Sequence, residues 1–219
     1  MKIASFETFV VGNPPPGRGG RYFVFVKLVT DDGVVGYGEV YTATFGPEVV
    51  AHMIEDVCER HVVGHDPFHV EALWRAVYGS GYTLRPDVSL VSVLSGIETA
   101  LWDIVGKAVG KPVYELLGGQ VHERLRTYTY LYPTEEEAAD VNKAAAVYTD
   151  PAAAAARAAE ELAAGFTAVK FDPAGPYTVY DGHMPPLEAI DRSARFCAAI
   201  REAVGTGADL LFGTHGQFT

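Results

Sequence analysis

Residues Ser95–Gly119 read SGIETALWDIVGKAVGKPVYELLGG. Ile97, Ala100, Leu101, Ile104, Val105 and Ala108 recur at helical spacing, which predicts a long helix with one apolar face. Lys111-Pro112 cannot continue that helix and reads as a turn into a short second one. Glu98 and Asp103 sit among the apolar positions rather than opposite them. For each of these residues taken singly, a buried helix with polar edges is a sufficient account.

Working outward toward the N-terminus, residues 2–11 alternate and predict a strand, and NPPPGRGG (13–20) is too rich in Pro and Gly for strand or helix. RYFVFVKLV (21–29) is a dense β run, Asp32-Gly33 is a hairpin signal and VVGYGEVY (34–41) pairs back, giving a three-stranded meander. Helical patterns follow at about 47–61, 68–78 and 89–109.

The composition changes after Gly119. RLRTYTYLY (124–132) alternates as a strand, and Asp150 caps a helix with Pro151 at its first position and Gly165 at its end. TAVKFDP (167–173) is the next strand, followed by a loop carrying Tyr177, Tyr180 and His183. A helix then runs over about 186–204, and DLLFGTHG (209–216) is a third strand. Strands alternating with helices predict parallel βαβ units.

Seventeen Lys and Arg against 28 Asp and Glu leave a net charge of −11, which argues against nucleic acid or an anionic membrane as partner. No stretch reads as the ~20 apolar residues of a membrane span. MKIASFETFVV reads as a strand rather than a signal peptide. Cys58 and Cys197, far apart in helical patterns, read as reduced thiols of a cytosolic protein. No G-x-G-x-x-G opens a helix after a strand, which counts against a nicotinamide-binding enzyme.

As an ordered string, 95–119 resembles the signature of the mandelate racemase and muconate lactonizing enzymes of the enolase superfamily, supported by GYGEV at 36–40. The resemblance covers essentially the whole chain. It implies an α+β capping domain over residues 1–122, followed by an α/β part over 123–219 that is the N-terminal part of a (β/α)8 TIM barrel. A full barrel takes about 250 residues and at least about 200. Three strands cannot close one, so the barrel is expected to be incomplete in this chain, as a truncated record of a longer protein rather than a natural mini-protein.

Barrel active sites lie at the carboxyl ends of strands, which singles out Tyr130–Pro133, Lys170–Pro173 and Gly213–Gln217. Lys170 and Asp172 alternate with Val169 and Phe171, so the first pair should share the lumen face while the second pair faces the helices. The two charges read either as a salt-bridged pair or as chemistry. Racemases of the family carry Lys-x-Lys here; the present string is Lys170-Phe171-Asp172, which counts against a two-base racemase. The resemblance leaves Lys170 as a catalytic cation near substrate and Asp172 as its polar, substrate-binding partner.

On the third strand the family places a first Mg2+-ligand Asp, and acid-sugar dehydratases of the galactonate and mannonate type place a His two residues later. Here Gly213 holds the ligand position and can coordinate nothing through a side chain, so no metal residue is assigned, although the resemblance implies Mg2+. His215 holds the place of the acid that protonates the leaving β-hydroxyl, with Gln217 beside it as a substrate contact; the alternative is an incidental histidine. Further ligands and the general base would lie on later strands. Arg18 in the Pro/Gly loop is either solvated or pairs with a substrate carboxylate. Tyr41–Phe45 occupies a similar position, and Tyr130 and Tyr132 either pack or hydrogen-bond a polyhydroxy acid.

The resemblance implies an acid-sugar dehydratase, a cytoplasmic homo-oligomer acting on a small-molecule sugar acid, inactive as this chain alone. A racemase, epimerase or cycloisomerase of the same superfamily, or a metal-free relic without catalysis, are the alternatives.

Overall fold

Ser95–Gly119 folds as predicted, within a computed structural model that describes residues 1–14, 20–41, 45–81, 87–173 and 186–213. Most of the predicted 13–20 loop with Arg18, the predicted loop of Tyr177, Tyr180 and His183, and the 214–216 end of the predicted third strand lie outside those residues. The chain divides into two units, Met1–Glu123 and Arg124–Thr219.

The first unit is an antiparallel meander of β1 (Ile3–Gly12), β2 (Tyr22–Thr30) and β3 (Val35–Val40), in that order, backed by helices. The Asp32-Gly33 turn closes β2 on β3: Gly33 has a left-handed φ of 88°, and Thr30 N–H donates to the Val34 carbonyl at 2.9 Å. Val24, Val26, Leu28 and Val40 alternate into the core, where α1 (Pro47–Val57), α2 (Val70–Tyr78) and α3 (Val88–Val109) meet them. Helix 47–61 is predicted as one element, but its last turn, Cys58–Val62, widens to a π-helix. Cys58 is fully buried there, and burial pushes its thiol up to about 12.

The α3 helix is the centre of this unit. Asp87 caps it by accepting from the Ser89 and Leu90 N–H groups, and Gly110 ends it at a left-handed φ of 66°. Ile97, Ala100, Leu101 and Ile104 are fully buried. Small residues bring α3 against β3 backbone to backbone: a Cβ on Gly38 would overlap the Gly96 carbonyl oxygen, and one on Gly36 the Ala100 carbonyl oxygen. Asp103 and Lys107 then finish the free edge of β3. Asp103 accepts from the Tyr37 N–H at 3.0 Å, and Lys107 donates to the Val35 carbonyl at 2.8 Å while pairing with Asp103 at 2.7 Å. The acidic residue among apolar ones thus satisfies a strand edge. The expectation that no stretch comes near span length is corrected here: α3 has 22 residues, and an 18-residue stretch of it with mean hydropathy 1.5 meets the length and composition of a membrane span. That apolar surface is spent on the meander. After the Lys111-Pro112 turn comes α4 (Val113–Leu116).

The second unit carries a parallel sheet, β4 (Thr129–Tyr130), β5 (Ala168–Phe171) and β6 (Asp209–Phe212), in spatial order β4-β5-β6. Helices α7 (Pro151–Ala163) and α8 (Leu187–Val204) pack on one face, placing Ala154, Ala158, Phe196 and Ile200 against Val169 and Phe171. The run of alanines lets α7 lie close to α8. At the amino ends of the strands, Arg126 donates to the Thr167 hydroxyl at 2.8 Å and carbonyl at 2.5 Å and pairs with Asp209 at 2.6 Å, tying all three strands.

One expectation is corrected. The alternation at 124–132 predicts a nine-residue strand, but only Thr129 and Tyr130 find ladder partners on β5; in this register residues 124–127 fall before the start of that strand. Two further helices, α5 (Glu135–Ala138) and α6 (Val141–Thr149), lie between β4 and the Asp150 cap. Thr134 and Glu137 form a reciprocal capping box at α5, and Arg157 of α7 reaches Glu137 at 2.6 Å.

Gly38→Ala is expected to destabilise the first unit by roughly 3 kcal/mol, because overlap is with backbone that cannot step aside. Gly12→Ala, with no atom within 4 Å of its Cβ, should lie within about 0.5 kcal/mol of the parent. Urea midpoints followed by circular dichroism compare the two. The backbone N–H of Thr134, helped by its hydroxyl and by Arg157, holds the Glu137 carboxyl below the ordinary glutamate range. Its stabilisation is therefore full above that range and fades as the pH falls through the lowered value. Glu137→Gln should lower the thermal midpoint at pH 7, and the difference should close on acidification.

Candidate functional site

The site sits on the face of the parallel sheet opposite α7 and α8, at the carboxyl ends of the strands. Its placement follows from the two-residue alternation of a strand. Val169 and Phe171 are 0% and 2% exposed under the helices, so Lys170, and Asp172 just beyond the strand, stand on the other side. On the neighbouring strand Leu131 is buried in the core, which turns Tyr130 and Tyr132 to the same side as Lys170. Parallel pairing fixes the rows: Tyr130 lies opposite Lys170, and Lys170 opposite Leu211.

The polar groups on this face are divided between tyrosines. The Tyr130 hydroxyl donates to Asp172 Oδ2. The Lys170 ammonium lies over the ring of Tyr128, 5.7 Å from its centroid. Tyr130 and Tyr132 lie ring to ring at 4.7 Å and 32°, which braces the first phenol. Lys170 and Asp172 therefore share a face, and each meets a tyrosine there. Together they offer a cation, a carboxylate and phenols, a set suited to an acid that also carries hydroxyls.

Of the residues singled out from sequence, the structure brings together Lys170, Asp172 and Tyr132. His215, Gln217 and Arg18 lie outside the described residues. Gly213 is buried at the end of β6, its N–H donating to the Phe171 carbonyl at 2.9 Å. Tyr128, with its ring under Lys170, and the bond from Tyr130 to Asp172 were not foreseen. The period-two spacing of Tyr128, Tyr130 and Tyr132 was the available signal for a tyrosine face. In the first unit, Tyr41 and Glu39 line an open cleft of about 380 Å3 with Asp87, Val91 and Ser95 of the α3 end.

Residues 17–118 match the mandelate racemase/muconate lactonizing enzyme N-terminal domain. A Labrenzia alexandrii DFL-11 structure described as a mandelate racemase/muconate lactonizing enzyme superposes on all of this chain and 56% of its own, with TM-score 0.90 and 63% identity. Over residues 17–118 the chain belongs to the mandelate racemase/muconate lactonizing enzyme family of the enolase superfamily. Its first unit is the family's N-terminal capping domain, and the whole matches the N-terminal part of an enolase-superfamily chain. D-galactonate dehydratase of Xanthomonas campestris pv. campestris (strain B100) is 33% identical over 217 residues, 99% of this chain and 49% of that protein. D-gluconate dehydratase of Thermoproteus tenax is 32% identical over 201 residues, 92% of this chain and 37% of that protein. The chain thus spans half or less of these curated relatives.

Enolase-superfamily enzymes generally use Mg2+. Among the described residues no three His, Cys, Asp or Glu side chains come together to hold a metal ion, and glycine at 213 brings no side-chain ligand. The described residues do not fit the ion.

Proposed function

We propose that the complete protein carrying this chain is an acid-sugar dehydratase. One observation carries the reading: Lys170 and Asp172 leave the carboxyl end of the central parallel strand on the face away from the helices, with Tyr130 beside them. Barrel enzymes work at that end of their strands. The names of the galactonate and gluconate dehydratases to which the chain is similar support the substrate class.

In this reading the sheet β4-β5-β6 opens a (β/α)8 barrel capped by residues 1–122, with the barrel proper from 123. Lys170 receives the substrate carboxylate and holds the negative charge that grows on it as the α-proton leaves. Tyr132, Arg18, Asp172 and Gln217 contact the rest of the sugar acid. The α-proton passes to a base that the described residues do not supply. The Cβ–O bond then breaks, the departing hydroxyl takes a proton from His215 and leaves as water, and the enol becomes a 3-deoxy-2-keto acid. The protein acts as a cytoplasmic homo-oligomer, without a nucleic-acid or membrane partner, and the 219-residue chain alone is inactive. A metal-free relic is the second reading, favoured by Gly213 in the usual ligand position.

Assay of a hexonate panel with the complete protein is expected to yield a 3-deoxy-2-keto product, with His215→Ala lowering kcat by about 100-fold or more. Wild-type rates in His215→Ala remove that histidine from the mechanism. A solvent deuteron on the α-carbon of an otherwise intact substrate, after reaction in deuterated water, makes the protein an epimerase or racemase instead. Absence of Mg2+ binding to the complete protein by calorimetry favours the relic.

A further inference from the structure

We propose that Tyr130 is a positioning residue, which holds the Asp172 carboxylate so that it accepts a hydrogen bond from one hydroxyl of the sugar acid. The inference rests on the reading of this face as substrate-facing. It adds how the face tells one end of the substrate from the other.

Three features of the second unit lead there. Tyr130 and Asp172 come from adjacent parallel strands, and their bond exists only because the register sets Tyr130 opposite Lys170, two residues before Asp172. The phenol is itself braced, its ring lying against Tyr132 at 4.7 Å. Its O–H therefore fixes the Asp172 rotamer before any ligand arrives, which lowers the ordering cost of binding.

The charges on β5 then run in a set order. Lys170 comes first, its ammonium over the Tyr128 ring, and Asp172 comes roughly 6.6 Å further along the same face. An ionised carboxylate only accepts hydrogen bonds and repels a second carboxylate. Asp172 thus takes an O–H donor, while the substrate's own carboxylate is drawn to Lys170. A cation followed by a fixed acceptor reads an acid with a hydroxyl a few ångströms from its carboxylate and disfavours the reversed pose. Sites built to bond a hydroxyl discriminate strongly against analogues that lack it.

The test uses the complete protein with a hexonate and its monodeoxy analogues, comparing wild type with Tyr130→Phe, Asp172→Asn and the double variant. Wild type should disfavour one analogue, the one lacking the hydroxyl that Asp172 reads. Tyr130→Phe should raise the hexonate KM about five- to tenfold, as loss of one such bond implies, with kcat within about twofold. For the disfavoured analogue its KM should not move, and the double variant should be no worse than Asp172→Asn. A Tyr130→Phe effect equal on all analogues, or effects that multiply in the double variant, would mean that Tyr130 only supports the fold and overturns the proposal. If Tyr130→Phe does not fold, Asp172→Asn decides alone: discrimination retained overturns the proposal, and discrimination lost upholds it. A wild type that turns over no sugar acid removes the dehydratase reading and this inference with it, whereas normal turnover indifferent to Tyr130→Phe removes only the inference.

Discussion

Backbone contact between β3 and α3 is the constraint on which the first unit depends. Gly36 and Gly38 face the carbonyls of Ala100 and Gly96, with no room for a Cβ between. That approach is what lets Asp103 and Lys107 reach the free edge of β3, and it sets the line of the 22-residue helix whose apolar residues fill the core. The two most diagnostic strings of the sequence, GYGEV and SGIETALWDIVGK, are thus two halves of one contact. Their small residues answer a steric demand, and their acid answers an unpaired N–H.

The second unit is organised by the alternation of β5. Its odd positions, Val169 and Phe171, are buried beneath α7 and α8, and Lys170 is forced to the other face. Arg126 gathers the amino ends of the three strands, while the tyrosines, Lys170 and Asp172 gather at their carboxyl ends. Stability is concentrated at one end of the sheet and polar chemistry at the other, the division expected of a β/α unit.

Local signals made much of this legible in the sequence. The meander announced itself through alternation and Asp32-Gly33, α3 through its 3.6-residue period, and α7 through the Asp150-Pro151 start. Other features needed partners that no local pattern reveals. Residues 124–132 alternate like a strand, yet β5 offers a ladder to only two of them. Thr134 and Glu137 spelled a capping box for α5, but four residues give no period to read. That Lys170 and Asp172 share a face follows from counting by two. That Asp172 takes its hydrogen bond from Tyr130, and Lys170 rests on Tyr128, depends on the β4-β5 register, which is a tertiary fact.

The central claim is that the face of β5 bearing Lys170 and Asp172 receives a sugar acid. A crystal structure of the complete protein with a bound hexonate tests it most directly. The account requires the substrate carboxylate within about 3 Å of the Lys170 ammonium, a hydroxyl donating to Asp172, and the Tyr130 bond kept. A hexonate bound elsewhere, with Lys170 still over Tyr128 and Asp172 untouched, would contradict it.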